Sequence, residues 1–164
     1  MARIATLHAR TASSAGYTLL ELIVVITVAG ILAAVVGPKF FTQQSFSERG
    51  YADELASALR LTQKTAVISG CPARLTVAAG TYVAAQQAAS GNACNASDTT
   101  WATPVIGIDG VTIQGSAASS TTASPTGVYQ FDTQGRLSAS PGTTLTVGSR
   151  TITIDAGTGL VRVQ

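Results

Sequence analysis

Hydrophobic and polar positions change rhythm twice along the chain. From Tyr17 to Pro38, "YTLLELIVVITVAGILAAVVGP", a run of 22 residues carries one charge, Glu21, among Leu, Ile, Val and Ala. As a helix this run is about 33 Å long, enough to cross the hydrocarbon core of a bilayer. Polar residues return at Lys39. Ala52, Leu55, Leu59, Thr62 and Ala66 then recur at the 3–4 spacing of one helical face, with Glu48, Asp53, Arg60 and Lys64 placed off it. Gly50 weakens this pattern, and Gly70 supplies a C-terminal stop. The reading is one long helix over 17–69, roughly 80 Å in length. Residues 17–38 form its uniformly apolar part and 39–69 its amphipathic part.

After Gly70 the period drops to two. The runs "ARLTV", "TYVAA", "PVIGI", "VTIQG", "VYQFD", "TLTVG", "RTITID" and "LVRVQ" alternate, and turn signals separate them at Ala79-Gly80, Asp109-Gly110, Gln134-Gly135, Gly148-Ser149 and Gly157-Thr158-Gly159. This pattern predicts an antiparallel meander with tight hairpins over 70–164. The stretch 116–127, "SAASSTTASPTG", is expected to be an exposed, mobile polar loop.

Charge changes the picture at the N-terminus. The chain has ten basic and eight acidic residues, but Arg3 and Arg10 both precede the apolar run. From Tyr17 onward the two signs balance, so the net charge of +2 says little about partners. Arg3 and Arg10 ahead of the run, against Lys39 alone just after it, weakly favour a cytoplasmic N-terminus. Glu21 is the oddity. An ionised carboxylate in hydrocarbon costs roughly 2.5–3.5 kcal/mol on insertion scales. It must lie at the interface, snorkelling to the headgroups, or have a partner. A secretory signal peptide would carry its small-residue cleavage site after the apolar region. Here the small cluster "TASSAG" lies before it, so cleavage at Gly16 would leave the run in place. An uncleaved membrane anchor is the remaining alternative.

Gly16 followed by this run resembles the N-terminal motif of type IV pilins and type II secretion pseudopilins. Gly16 falls where the prepilin peptidase cuts, Glu21 fifth in the mature chain, and Pro38 at the family's kink. Tyr17 stands where the family has Phe, and the leader, 1–16, is longer than many. The resemblance implies cleavage between Gly16 and Tyr17 and methylation of the Tyr17 amine. It also implies that Glu21 pairs with the α-amine of a neighbouring subunit, making the carboxylate a check on filament register. Pro38, lacking an amide hydrogen, is expected to kink or locally melt the helix, with Gly37 adding flexibility. The second half extends the resemblance through "FSERGYADELASALRLTQKTAVISGCPARLTV", Cys94, Trp101 and Pro104-Val105. These are similar to the GspH/FimT group of minor pilins, and among them to the minor pilins of mannose-sensitive haemagglutinin pili. The implied fold is α+β and type IV pilin-like, a long N-terminal helix packed on an antiparallel β-sheet domain. Implied partners are other pilin or pseudopilin subunits, the prepilin peptidase, the inner membrane and the assembly platform. The C-terminal domain would be periplasmic, then part of a filament serving assembly, adhesion or secretion. The alternatives are a type II secretion pseudopilin H-like subunit and a DNA- or surface-binding receptor at a filament tip.

Candidate chemistry is sparse. Cys71 and Cys94 form no CxxC or Cys/His cluster, so no metal site and no cofactor are expected. Downstream of an export signal the pair reads as a disulfide, with two buried free thiols as the alternative. The only histidine, His8, lies in the leader, and no nucleophile motif or phosphate loop appears. Asp53-Glu54 reads as a solvated helix face rather than a carboxylate pair, and Asp132 and Asp155 read as turn residues. An enzyme is not expected. Trp101 reads as a packing residue. DNA is a poor fit as partner. Members of the resembled group that bind it carry two arginines in a Gly-Arg-x-Arg hairpin, whereas Leu160 replaces the first of them here. Arg136, Arg150 and Arg162 remain as a weak DNA or anion contact if they share a surface.

Overall fold

A computed structural model describes residues 17–40, 43–91, 93–118 and 120–164, with side chains 34–40 and that of Gln43 outside the description. The leader 1–16, including Gly16, and the join at 41–42 lie outside the described residues. The chain divides into two units, Met1–Phe41 and Thr42–Gln164. In the first, helix α1 spans Leu19–Phe40. Its backbone runs past Gly37-Pro38, so that pair does not end the helix; the Pro38 side chain lies outside the description. Among the described residues no helix is long and apolar enough to cross a membrane. The described side chains of α1 stop at Ala33, short of the span read over 17–38.

The second unit starts with α2, Gln43–Ser69. Ala52, Leu55, Leu59, Thr62 and Ala66, the predicted face, are all fully buried. Tyr51, Ala56 and Ala58 widen that stripe. Thr62 satisfies its buried hydroxyl by donating to the Ala58 carbonyl four residues back, at 2.7 Å. Gly70, with φ of 65°, ends the helix in the left-handed region that costs glycine nothing.

Twelve short strands follow among the described residues. They are β1 (Ala73–Val77), β2 (Thr81–Gln86), β3 (Ala89–Ser90), β4 (Ala93–Cys94), β5 (Thr103–Pro104) and β6 (Gln114–Ser116), then β7 (Ala123–Ser124), β8 (Gly127–Phe131), β9 (Leu137–Ala139), β10 (Thr144–Val147), β11 (Arg150–Ile154) and β12 (Val161–Val163). All pairings are antiparallel. One six-stranded sheet has the order β5-β2-β1-β8-β9, with β6 also on β2, and a four-stranded sheet runs β12-β11-β10-β7. The single meander read from the sequence is therefore corrected: β1 pairs with β8, Leu75 opposite Tyr129, across more than fifty residues. Leu75, Tyr129 and Phe131 of the first sheet and Leu145, Ile152 and Ile154 of the second meet the buried stripe of α2 in one core. Truncating Leu75 or Leu145 to alanine would cost roughly 3–5 kcal/mol.

The predicted loop over 116–127 also needs correction. Thr121 and Ala123 are buried, and β7 pairs with β10 through Ala123 and Val147. The Ala117 and Ala123 amides donate to the Gly80 and Ala79 carbonyls at 2.8 and 2.7 Å. Small side chains let this segment lie against the β1–β2 turn and bury backbone rather than apolar mass.

Candidate functional site

Tyr17 and Thr18 precede the first turn of α1. Thr18 is the N-cap: its Oγ1 accepts from the Glu21 amide at 3.2 Å, and its carbonyl accepts from the Leu22 amide at 3.1 Å. Thr18-x-x-Glu21 is thus the sequence pattern of a capping box, with Glu21 at N3 where the helix dipole favours a carboxylate. The sequence reading missed this, although a Thr three residues ahead of a Glu was the available signal. Beyond the cap every described side chain of α1 is exposed. Leu19, Leu20, Val25 and Ile31 are 77, 72, 57 and 66% exposed although they lie on different sides of the helix. A helix apolar all round has no face for water. Burying the ten large aliphatic side chains described on it would release on the order of 10 kcal/mol or more.

In the second unit the predicted disulfide is present. Cys71 and Cys94 are bonded, with Cα atoms 5.4 Å apart. The bond ties the end of α2 to the short β3–β4 hairpin. Asp98 organises the loop that follows. Its carboxylate accepts from the Ala88 amide at 2.8 Å, from the Thr100 hydroxyl and amide at 2.7 and 2.9 Å, and from the Trp101 amide at 3.1 Å. The Ala88 bond leads these in holding its pKa down at about 2. Trp101 is half-buried and the Arg74 guanidinium stacks on it, 4.8 Å from the ring centroid. That is a packing role of a specific kind.

Other predicted residues separate. Glu54 is not simply solvated: it accepts a 2.6 Å hydrogen bond from the Tyr82 hydroxyl, and burial first, then Glu54, pushes the Tyr82 pKa up. Asp132 and Asp155 do cap turns, accepting from Gln134 and Arg136 amides and from Thr158. Arg150 and Arg162 do not share a face of the sheet. Arg150 has the strand parity of buried Ile152 and Ile154, whereas Arg162 stands opposite Thr153 on the outward face of the same sheet. Arg136 is exposed in the β8–β9 turn. Gln63, which the sequence did not single out, links that turn to the next: its Nε2 donates to the Gly135 and Thr158 carbonyls, both at 2.9 Å. Among the described residues no group of three or more His, Cys, Asp or Glu gathers as a metal site.

A family model described as type II transport protein GspH matches residues 51–163, the α2 face and both sheets. The chain belongs to the GspH family. The prokaryotic N-terminal methylation motif matches residues 11–37, spanning Gly16, Tyr17 and Glu21. No curated protein and no solved structure matches the chain. This GspH-family chain is a minor pilin or pseudopilin subunit with a type IV pilin-like α+β fold, a membrane-anchored or filament protein of a structural rather than catalytic family. Its class assembles with other pilin-type subunits and is processed by a prepilin peptidase at the methylation motif.

Proposed function

We propose that this chain is cleaved between Gly16 and Tyr17 and methylated on the Tyr17 amine. It is held in the bacterial inner membrane by 17–38 as a single pass, with its N-terminus cytoplasmic and 70–164 periplasmic. It then moves into a filament in which 17–38 packs among the equivalent helices of other subunits. Pro38 and Gly37 let the helix bend where the apolar segment gives way to the amphipathic one. The observation that carries this reading is α1 itself, apolar on every face, exposed along its described length and bearing one carboxylate in its capped first turn.

In a filament core Glu21 faces other apolar helices, and an unpaired buried charge costs about 3–5 kcal/mol. The α-amine of Tyr17 on a neighbouring subunit removes that penalty only at one axial register. The carboxylate then rejects misplaced subunits, and the Thr18 cap holds the backbone of its turn. Replacing Glu21 by Ala or Gln is expected to leave membrane insertion and cleavage intact and to reduce recovery in sheared filaments by tenfold or more, as about 1.4 kcal/mol suffices for each decade. Normal incorporation of both variants would sink the pairing account.

A further inference from the structure

The outward face of the four-stranded sheet carries a polar row that the filament reading does not use. Thr144 on β10 stands opposite Thr153 on β11, and Thr153 stands opposite Arg162 on β12. Neighbours in such a row are about 5 Å apart. At its end the chain folds over in the turn 155–160. The turn is pinned by the Asp155 amide on the Leu160 carbonyl at 3.0 Å and by Thr158 bonding Asp155 Oδ1 through both amide and hydroxyl, at 2.8 and 2.7 Å. Row and turn enclose a groove of about 470 Å³, within the range of small-ligand sites.

Threonine is common on solvated strands, so the row alone proves nothing. The groove adds three features. Thr143, Thr144 and Thr153 bring three hydroxyls to its wall, the first two exposed and Thr153 half-buried. Arg162 and Asp155 sit at the same groove with opposite charges, so the site is close to neutral. The half-exposed Leu160 adds an apolar surface beside these polar groups.

The geometry points to a binding site for an uncharged saccharide, the end or one unit of a neutral glycan. Hydroxyls that both donate and accept, a guanidinium that donates and a carboxylate that accepts match a polyhydroxylated ligand. Leu160 meets its C–H face. A phosphodiester chain or a strongly acidic glycan is a worse fit, since the single cation is offset by Asp155. The site lies wholly in the second unit and stands whether or not the chain enters filaments.

The test uses the full chain in a zwitterionic detergent without a sugar headgroup. It is applied to an array of immobilised neutral and acidic oligosaccharides and titrated with a single-stranded oligonucleotide. Retention on neutral glycans is expected. It should fall about tenfold or more in Thr153→Val and in Arg162→Gln, the loss of one ligand hydrogen bond each. It should persist in Thr153→Ser and in Arg136→Gln, with thermal midpoints unchanged throughout. Absence of neutral-glycan binding, preference for acidic glycans or for the oligonucleotide, or binding that survives both Thr153→Val and Arg162→Gln would overturn the assignment.

Discussion

Breaking the Cys71–Cys94 bond isolates one term of the stability of the second unit. The cysteines are 23 positions apart. On the chain-entropy relation, closing a loop of that size removes about 3 kcal/mol of freedom from the unfolded chain. The unit has roughly 120 residues, so its unfolding entropy is on the order of 0.25 kcal/mol/K. Loss of the bond should then lower the midpoint by about 12 °C. Packing adds a smaller contribution, because only Cys71 of the pair is buried. The assay is thermal unfolding followed by circular dichroism on the oxidised chain, the same chain reduced, and Cys71→Ala/Cys94→Ala. Reduction changes the crosslink and leaves the sulfur atoms in place, so its drop reports the entropic term. The double variant adds the packing term and should fall slightly further. A drop below about 3 °C on reduction would refute the reasoning, since the unfolded chain would then have no loop entropy left to gain.

Two other perturbations read out different parts of the fold. In Gly159→Ala the new Cβ runs into the Gly135 carbonyl oxygen and the Gln63 amide, at a position with φ of 68°. The clash breaks the Gln63 bridge between two turns, and a loss of about 3 kcal/mol or more is expected in denaturant unfolding, with no loss in Gly157→Ala, whose added Cβ has only ordinary contacts. Asp98 gives a pH signature. Its folded pKa of about 2 lies below the unfolded value of 3.8, so its contribution is complete above about pH 4 and fades as pH falls through that window. Midpoint-versus-pH curves should therefore be flatter between about pH 4 and 2 in Asp98→Asn than in the parent chain, and parallel curves would contradict the hydrogen-bonding account of the loop.

The sequence displayed what is encoded locally. The α2 stripe follows from a 3–4 spacing that Ala52, Leu55, Leu59, Thr62 and Ala66 keep without exception, and β1, β10 and β11 follow from strict alternation. What it hid depends on distant partners. Nothing near Leu75 announces Tyr129 as its neighbour, and the β8–β9 pairing contains a register shift between Gln130 and Phe131. Thr121 and Ala123 looked like loop because their burial comes from backbone proximity to Ala79 rather than from apolar bulk. The candidate site was legible in the same uneven way. Glu21 stood out because a lone carboxylate in an apolar run is costly, whereas its Thr18 cap was overshadowed by that cost. Arg162 was noticed as a charge, but the groove beside it needed the cross-strand register of Thr144 and Thr153.

The central claim is that the chain is a processed filament subunit, and the intact mass and N-terminal sequence of protein taken from native membranes and from sheared filaments test it most directly. The account predicts a chain that starts at N-methylated Tyr17, two hydrogens short at Cys71 and Cys94, and present in both fractions. A chain that keeps residues 1–16 and occurs only in membranes would contradict it and leave a simple membrane anchor.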